Sequence, residues 1–173
     1  MAKSAPTKKA SRNVHNRMNL PQRSGPKPDT TSNIPHSQLN QHGSDDVVQK
    51  LHDWCFSLPD VNNEHSAISV PGARALVMCD GVDCNQAAFM IGREFAHIHP
   101  HPDSGSMHVQ LSAEDAMEVI ETGWGEDHFL VTLGRLPKGL IMVFSPRNDA
   151  ELEAVKTIVN RSYDYATGSG ADT

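Results

Sequence analysis

The sequence predicts an α+β fold: a small, mainly antiparallel sheet with helices packed on one face. Three observations carry this. Two capped, amphipathic helical stretches lie towards the chain's end and another opens its ordered part. Short β-rich runs lie between them, joined by turn residues rather than by long crossovers. At 173 residues the chain can hold one well-formed core, but not comfortably two.

Residues 1–43 are rich in Ser, Pro, Asn, Gln, Lys and Thr without hydrophobic period, and so read as a disordered basic tail. Order is expected over 44–167, with a disordered C-terminus at 168–173. "GSDDVVQKLHDWCFSLP" reads as the first helix: Ser44 is placed as N-cap, Asp45 and Asp46 suit the positive end, and Pro59 stops the run. "HSAISV" and "ARALVMC" read as strands around the Pro71-Gly72 turn, and "DGVDCNQ" as a loop. "SAEDAMEVIETG" is a helix with Ser112 and Asp115 as a capping-box variant and Gly123 at its end. "GWGEDH" reads as a turn and "GLIMVFS" as a buried strand. The last helix starts at Asn148 and aligns Leu152, Val155, Ile158, Val159, Tyr163 and Ala166.

Charge divides unevenly. Residues 1–43 carry seven Lys/Arg against one acid, whereas the remainder carries eight against twenty. An acidic body argues against a nucleic-acid partner, since phosphate binding needs concentrated cations. No apolar run approaches the length of a membrane span, and no secretory signal is present. Cys55, Cys79 and Cys84 are odd in number and read as reduced thiols, so a cytoplasmic protein is expected.

Chemistry concentrates in "REFAHIHPHPDSGSMHVQL", Arg93 to Leu111. Successive strand side chains alternate between faces. His97 and His99 therefore share one face, and His108 and Gln110 share a face on the following strand. A register with His99 opposite His108 brings the three imidazoles and Gln110 together. Such a trio can bind a divalent metal, or serve as acid, base and orienter. His101, between two prolines, belongs to the loop. Parity turns Glu94 away from the histidines, towards a structural pairing with an arginine such as Arg147. Neither the metal-binding cupin pattern nor the histidine-triad hydrolase pattern fits: the former lacks its following glycine, and prolines interrupt the latter.

Together with "AEDAMEVIETGWGEDH" and "MVFSPRNDAELEAVKTIV", the histidine segment resembles the fungal luciferase family. The likeness runs from about Arg93 to Tyr165 through Arg93, Glu94, His97, His99, Asp103, His108, Trp124, His128, Arg147 and Asn148. It implies oxygenation of 3-hydroxyhispidin, a styryl-2-pyrone, by O₂ through an endoperoxide with loss of CO₂ and without flavin or nicotinamide. A polar tail stands where the family has an N-terminal membrane segment, and relatives of the family are more widespread than light emission. Chemistry on another small enol or pyrone-like compound, rather than luminescence, is therefore the transferable expectation.

An acidic enol must lose its proton before O₂ reacts at carbon, a task for a near-neutral histidine. His97, His99, His108 and His128 are the candidate catalytic residues. His97, His99 and His108 are also candidate ligands of one divalent metal, and no other cofactor is specified. Trp124, by stacking, Arg147, at a helix N-terminus, and Asp103 are candidate substrate contacts. Two other classes stay open: a non-catalytic binder of a small molecule or metal, and a metal-dependent lyase or hydrolase.

Overall fold

The computed structural model describes residues 16–169. Helix α1 spans Asp45–Cys55, followed by strands β1 (Val61–His65), β2 (Arg74–Met78), β3 (Glu94–Ile98) and β4 (Met107–Gln110). Helix α2 (Ala113–Glu121), β5 (Gly125–Asp127), the short α3 (Phe129–Thr132), β6 (Leu140–Val143) and α4 (Asp149–Thr167) complete the order. The strands form one antiparallel sheet in the order β1-β2-β3-β4-β6-β5, and with the helices give the expected α+β class.

The alternation that predicts the sheet also sorts its faces. Ala96, Ile98, Met107, Val109, Ile141 and Val143 join Val47 and Leu51 of α1, Val119 of α2 and Leu152, Val155, Ile158 and Val159 of α4 in one core. Burying each such aliphatic side chain contributes about 1.5–3 kcal/mol. The opposite face carries the histidines. Asn148 caps α4 by accepting the Glu151 amide at 3.0 Å, and Ser112 caps α2 by accepting that of Asp115 at 3.1 Å. Ser44 occupies the N-cap of α1 but makes no side-chain cap bond.

Two segments differ from the sequence reading. The first strand is Val61–His65, and 67–70 is a series of bends. The Ser66 hydroxyl accepts the Ser69 amide at 3.1 Å, local bonding that competes with a ladder. Part of "GWGEDH", read as a turn, is the edge strand β5. A Cβ at Gly125 would sit 2.5 Å from the Met142 carbonyl oxygen, so only glycine lets β5 close on β6.

The tail reading also changes. Residues 1–15 and 170–173 lie outside the described residues, but 16–43 form a strap held on the domain. The Glu118 carboxylate accepts the amides of Met18 and Leu20, at 2.9 and 3.1 Å. The Gln38 amide donates to Asp103 at 3.1 Å, and its side-chain oxygen accepts the Ser145 amide at 2.9 Å. Composition cannot register such anchoring, because long-range polar contacts rather than an apolar period hold the strap. No helix among the described residues is long and apolar enough to cross a membrane.

Candidate functional site

The strand register, one two-residue step from that expected, sets His97 opposite His108. A two-residue shift preserves parity, so the imidazoles still share a face. This face does not meet solvent. His97, His99 and His108 are 3–4% exposed and floor a cavity of about 710 Å³, within the usual range for small-molecule sites. Its walls are mostly apolar: Ile34 and Pro35 of the strap, Ile68, Val70 and Pro71 of the bends, Phe89 and Met90, and Leu130, Leu136, Pro137 and Leu140. Gln110 lines the floor and His36 and His128 the side.

Glu94 overturns the parity expectation. Val77 pairs with Glu94 and Leu76 with Ala96, so β3 carries a bulge at Phe95. Phe95 and Ala96 both enter the core, alternation is inverted beyond them, and Glu94 lands on the histidine face. There its Oε1 lies 2.7 Å from His97 Nδ1 and accepts the Ser66 hydroxyl, also at 2.7 Å, while Oε2 accepts the Ala67 amide at 3.2 Å. Arg147 pairs instead with Glu151 and donates to the Ser24 carbonyl at 2.8 Å.

Hydrogen bonds assign the tautomers. A carboxylate only accepts, so His97 places its proton on Nδ1, towards Glu94. His99 does likewise towards Asp103 Oδ2 at 2.7 Å, with Ser106 Oγ at 3.0 Å and itself donating to Asp103 Oδ1. Both imidazoles therefore keep a lone pair on Nε2. His97 Nε2 lies 3.0 Å from His108 Nδ1, and His108 Nε2 lies 3.4 Å from His36 Nδ1. His36 Nδ1 accepts the Phe129 amide at 3.3 Å, so its Nε2 proton goes to Glu126 at 3.0 Å. His128, the N-cap of α3, accepts the Leu130 amide on Nδ1 at 3.1 Å and keeps its proton on Nε2.

Burial and crowding keep His97, His108 and His128 neutral. His108 is held well below the usual imidazole range, by burial first and then by His99, His97, His128 and His36. Burial lowers His97 too, partly offset by Glu94, and lowers His128 to about 4, aided by His36. For Glu126, burial works upward, but hydrogen bonds from His36, Lys27 and Thr30 together outweigh it and hold the carboxyl at about 2.

The fold therefore brings together His97, His99, His108 and His128 and separates the other candidates from the cavity. Trp124 is buried in the core, its indole N–H donating to the Pro21 carbonyl at 2.7 Å. Asp103 supports His99 from behind, and Arg147 secures the strap. His101 is exposed in the loop. Sequence reasoning missed His36 and Glu126. His36 lies in a polar segment without period, 72 positions from His108, and no local pattern marks it.

Residues 92–162 match the family model described as Luciferase domain. A luciferase of Armillaria ostoyae is 30% identical over 172 residues, covering 89% of this chain and 64% of its own length. One from Armillaria mellea is 30% identical over 170 residues, 88% and 63% of the two chains. A luciferase of Neonothopanus nambi is 37% identical over 81 residues, 46% of this chain and 30% of that one. The chain thus spans under two thirds of the length of these relatives, and no solved structure matches it.

Proposed function

The chain carries a Luciferase domain over residues 92–162 and is similar to fungal luciferases along most of its length, and from that premise we propose a luciferase-like oxygenase that joins O₂ to a small, planar, acidic enol, of the 3-hydroxy-2-pyrone kind. The observation that carries this reading is the cavity itself: an apolar chamber floored by imidazoles, of which His97 and His108 are held neutral by burial. Its size suits a ring compound, and its walls suit an uncharged, conjugated one.

Oxygenation at carbon requires the enolate, and the floor favours it in two ways. The Nε2 lone pair of His97 or His99 takes the enol proton, and the imidazolium so formed pairs with the enolate; the same lone pairs would hold a Lewis acid were one bound. His128, with its proton on Nε2, donates to an enolate oxygen. The mostly apolar walls limit water that would otherwise quench the carbanion or protonate a peroxide. Positioning and charge stabilisation are thus the protein's share of the chemistry, and O₂ is the co-substrate.

Oxygen consumption by the purified full chain, measured with a panel of 3-hydroxy-2-pyrones and related enols, tests the proposal. Uptake dependent on one of them is expected, with His128→Ala lowering kcat about 10²-fold, the size of one lost charge-stabilising donor. Saturable binding of these enols without oxygen uptake would overturn the enzyme and leave a binding protein.

A further inference from the structure

The carboxylates that fix the His97 and His99 protons support an inference that is independent of the reaction. We infer that His97, His99 and His108 hold one divalent transition-metal ion, of the zinc or iron(II) class, with an open coordination position facing the cavity.

Candidate ligand atoms of these three histidines lie within 4.8 Å of one another. In a tetrahedral site with metal–nitrogen bonds of about 2.0–2.1 Å, ligand atoms stand about 3.3 Å apart, so small side-chain rotations close the set. The supporting groups distinguish this from a chance cluster. Metal-bound imidazoles donate their other N–H to a carboxylate or an equivalent acceptor, which fixes the tautomer and strengthens the ligand. His97 has Glu94 and His99 has Asp103, each at 2.7 Å. With His108 turned to ligate through Nδ1, its Nε2–H faces His36 Nδ1 at 3.4 Å, an acceptor it would share with the Phe129 amide, and His36 in turn donates to Glu126. His97 and His99 therefore each have a carboxylate behind them, and His108 a shared imidazole nitrogen whose ring ends on Glu126.

A second grouping, His36, His108 and His128, also has its ligand atoms within 4.8 Å of one another. Two of its lone pairs are held by backbone donors rather than by another candidate ligand: His36 Nδ1 accepts the Phe129 amide and His128 Nδ1 the Leu130 amide. Binding there would leave a backbone N–H unpaired or uncap α3. The chemistry of the preferred set also selects the ion. Three imidazoles suit zinc, iron or cobalt, whereas magnesium and calcium require oxygen ligands. Three protein ligands leave a fourth position for water or a substrate oxygen.

The test is titration of chelator-treated full chain with Co²⁺ and Zn²⁺, without enol or O₂, read by calorimetry and by the Co²⁺ d–d spectrum. Expected are one equivalent and intense bands of four- or five-coordinate cobalt. His97→Gln and His99→Gln should each weaken binding at least 100-fold, and Asp103→Asn should weaken it about 10–100-fold. His128→Ala should keep the full equivalent. Absence of stoichiometric binding by the folded parent overturns the proposal, as does binding lost in His128→Ala but kept in His97→Gln. The parent titration decides alone if a variant fails to fold. Because the readout contains no substrate, a loaded protein that consumes no oxygen would overturn the enzymatic reading and leave the metal site standing.

Discussion

Replacing Glu94 by glutamine changes one atom and removes one charge, at a residue that is 3% exposed. The carboxylate accepts three hydrogen bonds: from His97 and Ser66 at 2.7 Å and from Ala67 at 3.2 Å. Glutamine retains one accepting oxygen and turns an NH₂ towards a donor. One hydrogen bond to a charged acceptor, worth about 1.5–3 kcal/mol, is lost outright and the others weaken to neutral ones. The net cost is about 3 kcal/mol, which for a chain of this size lowers Tm by about 6–12 °C. With a neutral amide in place of the carboxylate, the His97 Nδ1 proton is held less firmly, and metal affinity should fall about 10–100-fold. Thermal unfolding followed by circular dichroism, with a Co²⁺ titration of the same sample, measures both. Arg147→Ala, which leaves Glu94 untouched, should leave the titration unchanged. A Glu94→Gln protein with the parent's Tm and the parent's cobalt affinity would refute the bulge and the tautomer assignment built on it.

The metal-free protein should lose stability on mild acidification. His97, His108 and His128 have folded pKa values below the ordinary 6.5, so the unfolded chain binds more protons as pH falls below about 6.5. Urea midpoints should therefore fall between pH 7.5 and 5. Glu126 does not contribute in that window, since its loss runs from the ordinary 4.5 down to about 2. A flat midpoint over this range would contradict the neutral cluster. Trp124→Phe should cost about 2–3 kcal/mol through its lost bond to Pro21 and the space it leaves. Substrate KM of the folded variant should be unchanged, and a KM rise of 10-fold or more would return Trp124 to the binding site.

Much of this site is legible because a strand has period two. His97, His99 and His108 share a face in either register, so the two-residue error in pairing did not matter. Helix caps at Ser112 and Asn148 are equally local signals, written within four residues. Glu94 was misplaced for the converse reason. A single bulged residue inverts parity, and the cause lies in pairing with β2 rather than in β3 itself.

The sequence by itself determined the fold class, the hydrophobic face of the sheet and the histidine trio, because period and capping act over a few neighbouring residues. Only the tertiary structure decided that the trio is buried, that Glu94, Asp103 and, through His36, Glu126 direct its protons, and that the strap and the 128–137 segment enclose it. Those contacts join positions up to 90 residues apart in the chain. Their stability comes from satisfying buried polar groups against one another, which no local pattern of hydrophobicity encodes.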